Sequence, residues 1–318
     1  MNHLIELPDD VFKYHIMNYL TRYDVVSLDN ACLCHEYRPR LLDKLSDVIL
    51  MGGMDSRWSL KVLKWLGQRK IFLQNVTINN LYDGTYRCTR NKRKTISDIT
   101  SLIKHCTVLT IIDKNMIDTD IECLCHKYNL NQLTRITLRY CENLTDASIV
   151  LISEHCKELQ AFHIYHNRSN NFNMALPLLL HRCTKLKSLS LIDISDKVLP
   201  INTMTAITQH CKGLQSLNFS LSFDLLDSNI ILIVEHCTGL QSLNLSFCSS
   251  ITHASLTAIG QHCKGLRSLD ISYCSKLNEQ CILSLLEHLT SLNSFNLFGI
   301  KISNKALQLL SRHCSIIN

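Results

Sequence analysis

From Leu133 to Leu297 the chain repeats one arrangement of apolar positions. One apolar residue is followed three places on by a second, and two places further by a third. The sets are Leu133/Ile136/Leu138, Leu159/Phe162/Ile164, Leu186/Leu189/Leu191, Leu214/Leu217/Phe219, Leu240/Leu243/Leu245, Leu266/Leu269/Ile271 and Leu292/Phe295/Leu297. The last two members of each set are two residues apart, so both point inward from a short strand, and the residues between and beside them face the other way. After a turn comes a polar residue of the helix-capping kind: Ser97, Asp118, Thr145, Asp227, Thr252, Asn278 or Ser303. Such side chains accept from the free N–H groups of a first helical turn. Apolar pairs flank four of these caps at the spacing of a hydrophobic staple: Leu144/Ile149, Ile251/Leu256, Leu277/Ile282 and Ile302/Leu307. The helices that follow carry stripes such as Ile149/Ile152/Cys156, Ile230/Ile233/Cys237, Leu256/Ile259/Cys263 and Leu307/Leu310/Cys314, each on one helical face. Gly213, Gly239 and Gly265 are expected to close helices in a left-handed cap. The predicted unit is strand, turn, helix, turn.

The units align on Cys106, Cys156, Cys183, Cys211, Cys237, Cys263, Leu289 and Cys314, with one more at Leu130. Their spacing falls in the range of about 20–29 residues that leucine-rich repeats show. A degenerate unit is read around Leu109/Ile112. A further strand is read over residues 72–78, with Ser97 to Cys106 as its helix. No unit can bury its apolar face alone, so neighbours must stack, and each buried Leu is worth about 1.5–3 kcal/mol. The fold class expected is α/β: a leucine-rich repeat solenoid, a horseshoe with its parallel sheet on the concave side and its helices outside.

Composition changes this picture little. The 318 residues carry a formal charge of +6, scattered along the chain, so no nucleic-acid partner is expected. The run from Arg87 to Lys94 is the one basic cluster and reads as a solvated loop. The N-terminus lacks the pattern of a secretory signal, and no stretch reaches the roughly 18 apolar residues of a membrane span. A cytoplasmic or nuclear protein, away from membranes, is expected. The 16 cysteines recur mainly once per unit at core positions, which favours reduced thiols over disulfides. Two glycosylation sequons, at Asn218 and Asn244, fall inside predicted strands and also disfavour secretion.

The array resembles the cysteine-containing leucine-rich repeats of F-box/leucine-rich-repeat proteins and of the antagonist-of-mitotic-exit-network family. The residues that carry this likeness are Leu266-Arg267-Ser268-Leu269-Asp270-Ile271-Ser272-Tyr273-Cys274 with Leu277, and the stretch from Leu133 to Asp146. Residues 1–50 resemble an F-box, the helical module that docks on the Skp adaptor of cullin ubiquitin ligases. The matching residues run from Leu7-Pro8-Asp9-Asp10-Val11-Phe12 through Ile16, Leu20, Asp24, Val25, Leu28, Ala31 and Cys32. That resemblance implies adaptor contacts at Leu7, Pro8, Ile16, Leu20 and Leu28. After Cys32, where the family has basic residues and an aromatic, the chain reads Leu33-Cys34-His35-Glu36-Tyr37. A helical cap over the end of the solenoid is the other reading of these residues.

Residues 51–95 read as a linker or atypical first repeat. Within them, Asp55 to Gln68 is apolar enough for a helix, and Tyr82 to Thr95 is a polar, basic insertion. Residues 96–318 are the repeats.

Candidate chemistry is sparse. Cys32-x-Cys34-His35 and Cys123-x-Cys125-His126 resemble metal ligands but lack a matching second pair, so no metal is expected. The His-Cys dipeptides at His105, His155, His210, His236, His262 and His313 recur, whereas a nucleophile is needed once. The thiols read as small buried apolar groups and the imidazoles as exposed residues near helix C-termini. With 9 glycines and no glycine-rich phosphate loop, neither a cofactor nor an enzymatic activity is expected. What remains is protein binding. Hot spots favour Arg and aromatic residues, which selects Arg135, Arg139, Tyr140, His163 and Tyr165, together with Phe247, Tyr273 and Phe298. The sequence leaves two functions open: a target-recognition subunit of a Skp-cullin-F-box type ubiquitin ligase, or a stand-alone scaffold or inhibitor.

Overall fold

A computed structural model describes residues 75–79, 106–127, 130–167, 172, 174–193, 200–314 and 316–317. The F-box-like residues 1–50, the segments Asp55 to Gln68 and Tyr82 to Thr95, and the helix expected from Ser97 lie outside the described residues. Ten strands form one sheet in sequence order: β1 (Asn75–Asn79), β2 (Val108–Ile112), β3 (Arg135–Arg139), β4 (Ala161–Tyr165), β5 (Ser188–Ile192), β6 (Ser216–Asn218), β7 (Ser242–Asn244), β8 (Ser268–Asp270), β9 (Ser294–Asn296) and β10 (Ile316–Ile317). Every adjacent pair is parallel. Among the described residues one α-helix separates each strand from the next from β2 onward: α1 (Asp118–Lys127), α2 (Asp146–His155), α3 (Ala175–Arg182), α4 (Ile201–His210), α5 (Asp227–His236), α6 (His253–His262), α7 (Glu279–Leu286) and α8 (Asn304–His313), with a 3-10 turn Leu130–Gln132 after the first. This is the leucine-rich repeat solenoid, with helices behind the sheet.

In-register pairing lines up Leu109, Ile136, Phe162, Leu189, Leu217, Leu243, Leu269 and Phe295 from strand to strand, all buried in one continuous core. In the first unit the inward pair is Leu109 and Ile111, so Ile112 faces the open side of the sheet, not the core as read from the sequence.

Strands β2 to β5 run five residues and β6 to β9 three. The cause is local. Asn218, Asn244, Asp270 and Asn296 each turn a side-chain oxygen onto the N–H two residues ahead, at 2.9, 2.9, 3.0 and 3.2 Å, and this ends the extended conformation. Phe219 and Leu245 thus fall just past the strands yet stay buried.

Each unit from β3 to β9 then makes a left-handed residue at one equivalent place: Tyr140, His166, Asp193, Leu221, Phe247, Tyr273 and Gly299, with φ between 51° and 82°. Only the last is glycine, so the other six carry a backbone cost of about 1 kcal/mol each.

The caps behave as two kinds. Thr145, Thr252, Asn278 and Ser303 accept from their own first helical turns, as expected. Asp118 and Asp227 do not: each is the first residue inside its helix and serves the next unit. Asp227 accepts the N–H and hydroxyl of Thr252 at 2.8 and 2.6 Å, and both donors of Ser255. Asp118 accepts likewise from Thr145 at 2.9 and 2.6 Å and from the Ser148 hydroxyl. Burial pulls both carboxyls up, but the bonds from Ser148 and Thr145, or Ser255 and Thr252, outweigh it and hold them below the ordinary 3.8. Glu279 receives Ser303 in the same manner at 2.6 and 2.9 Å.

Six of the eight described helices end at the recurrent cysteine, whose N–H bonds the carbonyl four residues back. The expected left-handed glycine caps are absent, because Gly213, Gly239 and Gly265 have no positive φ. The chain instead re-enters the core within one four-residue turn, closed by Leu214 N–H on Cys211 O at 3.1 Å, Leu240 on Cys237 at 3.3 Å and Leu266 on Cys263 at 3.0 Å. Such a turn places these glycines at ordinary negative φ.

The thirteen described cysteines are free thiols. All but the half-buried Cys123 are buried, and several reach backward one unit: Cys183 Sγ to Cys156 O at 3.6 Å, Cys237 to Cys211 O at 3.8 Å, Cys248 to Phe219 O at 3.3 Å and Cys274 to Leu245 O at 3.1 Å. Cys125 faces the core while His126 next to it is exposed against Glu122, so the Cys123-x-Cys125-His126 side chains diverge. No described helix is long and apolar enough to cross a membrane.

Candidate functional site

The expected partner-binding residues fall into two groups. The first lies on the sheet face itself. Pairing sets Thr137 beside His163, and Arg139 beside Tyr165, on the non-core side of β3 and β4. Arg135 and Arg139 are exposed at the two ends of β3, with Thr137 buried between them. The Arg139 guanidinium lies over the Tyr165 ring, 4.5 Å from its centroid, which holds the long side chain against the sheet. His163 meets Tyr165 edge to face at 6.1 Å, and its Nε2 hydrogen-bonds Ser188 Oγ at 2.9 Å. Burial, and then the charges of Arg135 and Arg139, push His163 down to about 4, so it is neutral at physiological pH. Among the described residues no carboxylate forms an ion pair with either arginine.

The second group stands on the rim where the strands end. Tyr140, Phe247, Tyr273 and Phe298 follow their strands rather than belonging to them, and three of the four hold the left-handed conformation. They are 48, 38, 44 and 61 % exposed. Phe247 stacks on Tyr273 with centroids 4.3 Å apart and planes 17° off parallel, and Tyr273 meets Phe298 at 5.3 Å. Tyr140 stacks instead on His166, at 4.9 Å and 8°, and His166 Nδ1 bonds the buried Asp193 carboxylate at 2.9 Å. Four strand spacings of ~4.8 Å separate the Tyr140 end of the rim from the Phe247 end by ~19 Å. The sequence-selected residues are therefore two clusters, not one.

Sequence reading missed Ile112, Phe223 and Leu226, and placed Ile192 on the open side of the sheet without selecting it for binding. Ile112 and Ile192 line the same row as Arg139 and Tyr165, in register across β2 to β5. Phe223 and Leu226, 49 and 51 % exposed, lie in the loop after β6. The run Val108-Leu109-Thr110-Ile111-Ile112 has apolar residues on both phases of a strand, so its sequence alone does not say which isoleucine faces out. Later in the face the pairing rows are Ser216, Ser242, Ser268 and Ser294, and Asn218, Asn244, Asp270 and Asn296, small polar groups with few anchors.

No model of a known protein family matches the chain. No curated protein matches its sequence. Among solved structures it is similar to a chain in the crystal structure of the Rad7 and Elc1 complex in yeast, at 13 % identity, over 96 % of this chain and 91 % of that one, with a TM-score of 0.45. It is also similar to a protein from Bacteroides fragilis, at 11 % identity over 77 % and 64 % of the two chains, TM-score 0.44. A third is the tropomodulin C-terminal domain from Caenorhabditis elegans, at 14 % identity over 46 % and 90 %, TM-score 0.35.

Proposed function

We propose that the chain is the target-recognition subunit of a Skp-cullin-F-box type ubiquitin ligase. In this reading residues 1–50 dock on the adaptor through Leu7, Pro8, Ile16, Leu20 and Leu28, and the sheet face holds the target protein. The chain performs no reaction of its own. Its contribution is to raise the effective concentration of target beside the transferring machinery. The observation that carries the binding role is the cluster of Arg135, Arg139, His163 and Tyr165, exposed or half-buried residues of hot-spot type on a rigid parallel sheet. Support for the docking role is the resemblance of residues 1–50 to an F-box.

Co-purification of the intact chain with a Skp-type adaptor tests the reading. Binding by the wild type that is lost in Leu20→Asp supports it. An intact chain that retains no adaptor overturns the ligase role and leaves a stand-alone binding scaffold or inhibitor.

A further inference from the structure

The first concave lanes differ chemically from the rest. Arg135 and Arg139 lie four residues apart on one face of β3, ~13 Å at ~3.3 Å per residue. No described carboxylate answers them. The acids of the neighbouring strand ends are already engaged: Asp193 accepts from His166, and Asp113 accepts the N–H of Asn115. His163, between the two arginines in the adjoining strand, is uncharged, so the positive charge of this patch is that of the two guanidiniums. Beside Arg139 the row Ile112, Tyr165 and Ile192 supplies an apolar floor. The later rows, by contrast, are Ser and Asn with one carboxylate, Asp270, which Asn296 and Ser272 already bond.

We infer that this part of the face takes an acidic, extended segment of a partner protein. It lies along the direction of β3, sets two carboxylates four residues apart on Arg135 and Arg139, and rests the apolar side chain midway between them at the level of Thr137 and His163, against the near side of Tyr165 and its row. The spacing follows from the strand, since two extended chains side by side advance by the same distance per residue. The choice of carboxylate follows from charge: a guanidinium fixed over a ring offers its N–H fork in one orientation, suited to a bidentate acid. This rests on the proposed role of the sheet face as a target-binding surface.

The test uses the full chain and a fluorescein-labelled extended peptide carrying two glutamates four residues apart around a central leucine. The same peptide with glutamines, and a single-stranded oligonucleotide of equal charge, serve as comparisons. The glutamate peptide is expected to bind. Affinity should fall by about tenfold or more in Arg135→Glu/Arg139→Glu, stay unchanged in the exposed-turn variant Lys212→Glu, and weaken between about 50 and 300 mM salt. Both arginines are exposed, so circular dichroism should show the double variant folded. No binding of the glutamate peptide at about 1 mM, equal binding of the glutamine peptide, or equal binding of the oligonucleotide overturns the inference. A photo-reactive benzoylphenylalanine at position 165 separates this failure from failure of the face itself. Cross-linking there to the glutamine peptide keeps the face and removes the acidic preference, whereas no cross-link to any peptide removes the face.

Discussion

The ring of Tyr273 lies across the backbone of Gly299, so that a Cβ on Gly299 would stand 2.8 Å from Tyr273 Cδ1. Gly299 also has φ +82°, where an L side chain is strained. Gly299→Ala should therefore destabilise the protein by about 1–3 kcal/mol, read as a lowered urea midpoint. Adding Tyr273→Ala should remove the steric part of that loss and leave the backbone part.

Acid should loosen the array at defined places. Asp118 and Asp227 have folded pKa values below 3.8, so they bind protons more weakly folded than unfolded. Their stabilisation is complete above the unfolded value and is lost as pH falls below about 4 through the folded value. Asp118→Asn/Asp227→Asn should flatten the acid limb of a stability-against-pH curve measured by thermal melting. An unchanged limb would exclude these carboxylates as its source.

Thiol reactivity should divide by burial. Desolvation pushes Cys211 and Cys263 up to about 12, with the neighbouring thiols adding to the shift, whereas Cys123 is only half-buried. Brief maleimide treatment of the native protein at pH 8, followed by peptide mass spectrometry, should label Cys123 and spare Cys211 and Cys263. In denaturant all three should react alike.

Equivalent staple positions should not be equivalent in energy. Ile149 is fully buried, while Leu307, at the same place in α8, is 39 % exposed. Ile149→Ala should cost about 2–5 kcal/mol and Leu307→Ala under about 1 kcal/mol, compared by denaturant titration.

The alternation of strand and helix was legible because two periods dominate the sequence. Pairs such as Leu189 and Leu191 mark strands, and stripes such as Leu256, Ile259 and Cys263 mark helices. Both signals come from burial, which the core enforces in every unit. Features set by polar groups were harder to read. Asn218 and Asn244 look like ordinary exposed strand residues, yet their side chains end the strand by taking the N–H two places on. Asp118 and Asp227 have the chemistry of caps, but their hydrogen-bond partners lie 25 to 30 residues away, beyond any local pattern. Gly213 carries the signal of a helix stop, but the rapid return of Leu214 to the core selects a different turn.

The candidate site was legible by residue type and not by position. Arg135, Arg139, His163 and Tyr165 were selected together and the sheet brings them together. Tyr140, Phe247, Tyr273 and Phe298 were selected for the same face but stand at its rim, because a left-handed residue just past each strand turns the chain away from the face. Nothing in a tyrosine or phenylalanine announces that conformation, which glycine occupies only at Gly299.

The backward reach of the side chains gives the solenoid a polarity. Cys183, Cys237, Cys248 and Cys274, like Thr145, Thr252 and Ser303, all donate to the unit before them. A cut beside these residues would leave their thiols and hydroxyls on one side and the carbonyls and carboxylates they reach on the other. Two surfaces of the same kind cannot satisfy each other across a twofold axis, whereas unlike surfaces can. Growth by added units, whether in evolution or in a designed extension, is thereby favoured head to tail, the arrangement in which each of these donors meets its acceptor.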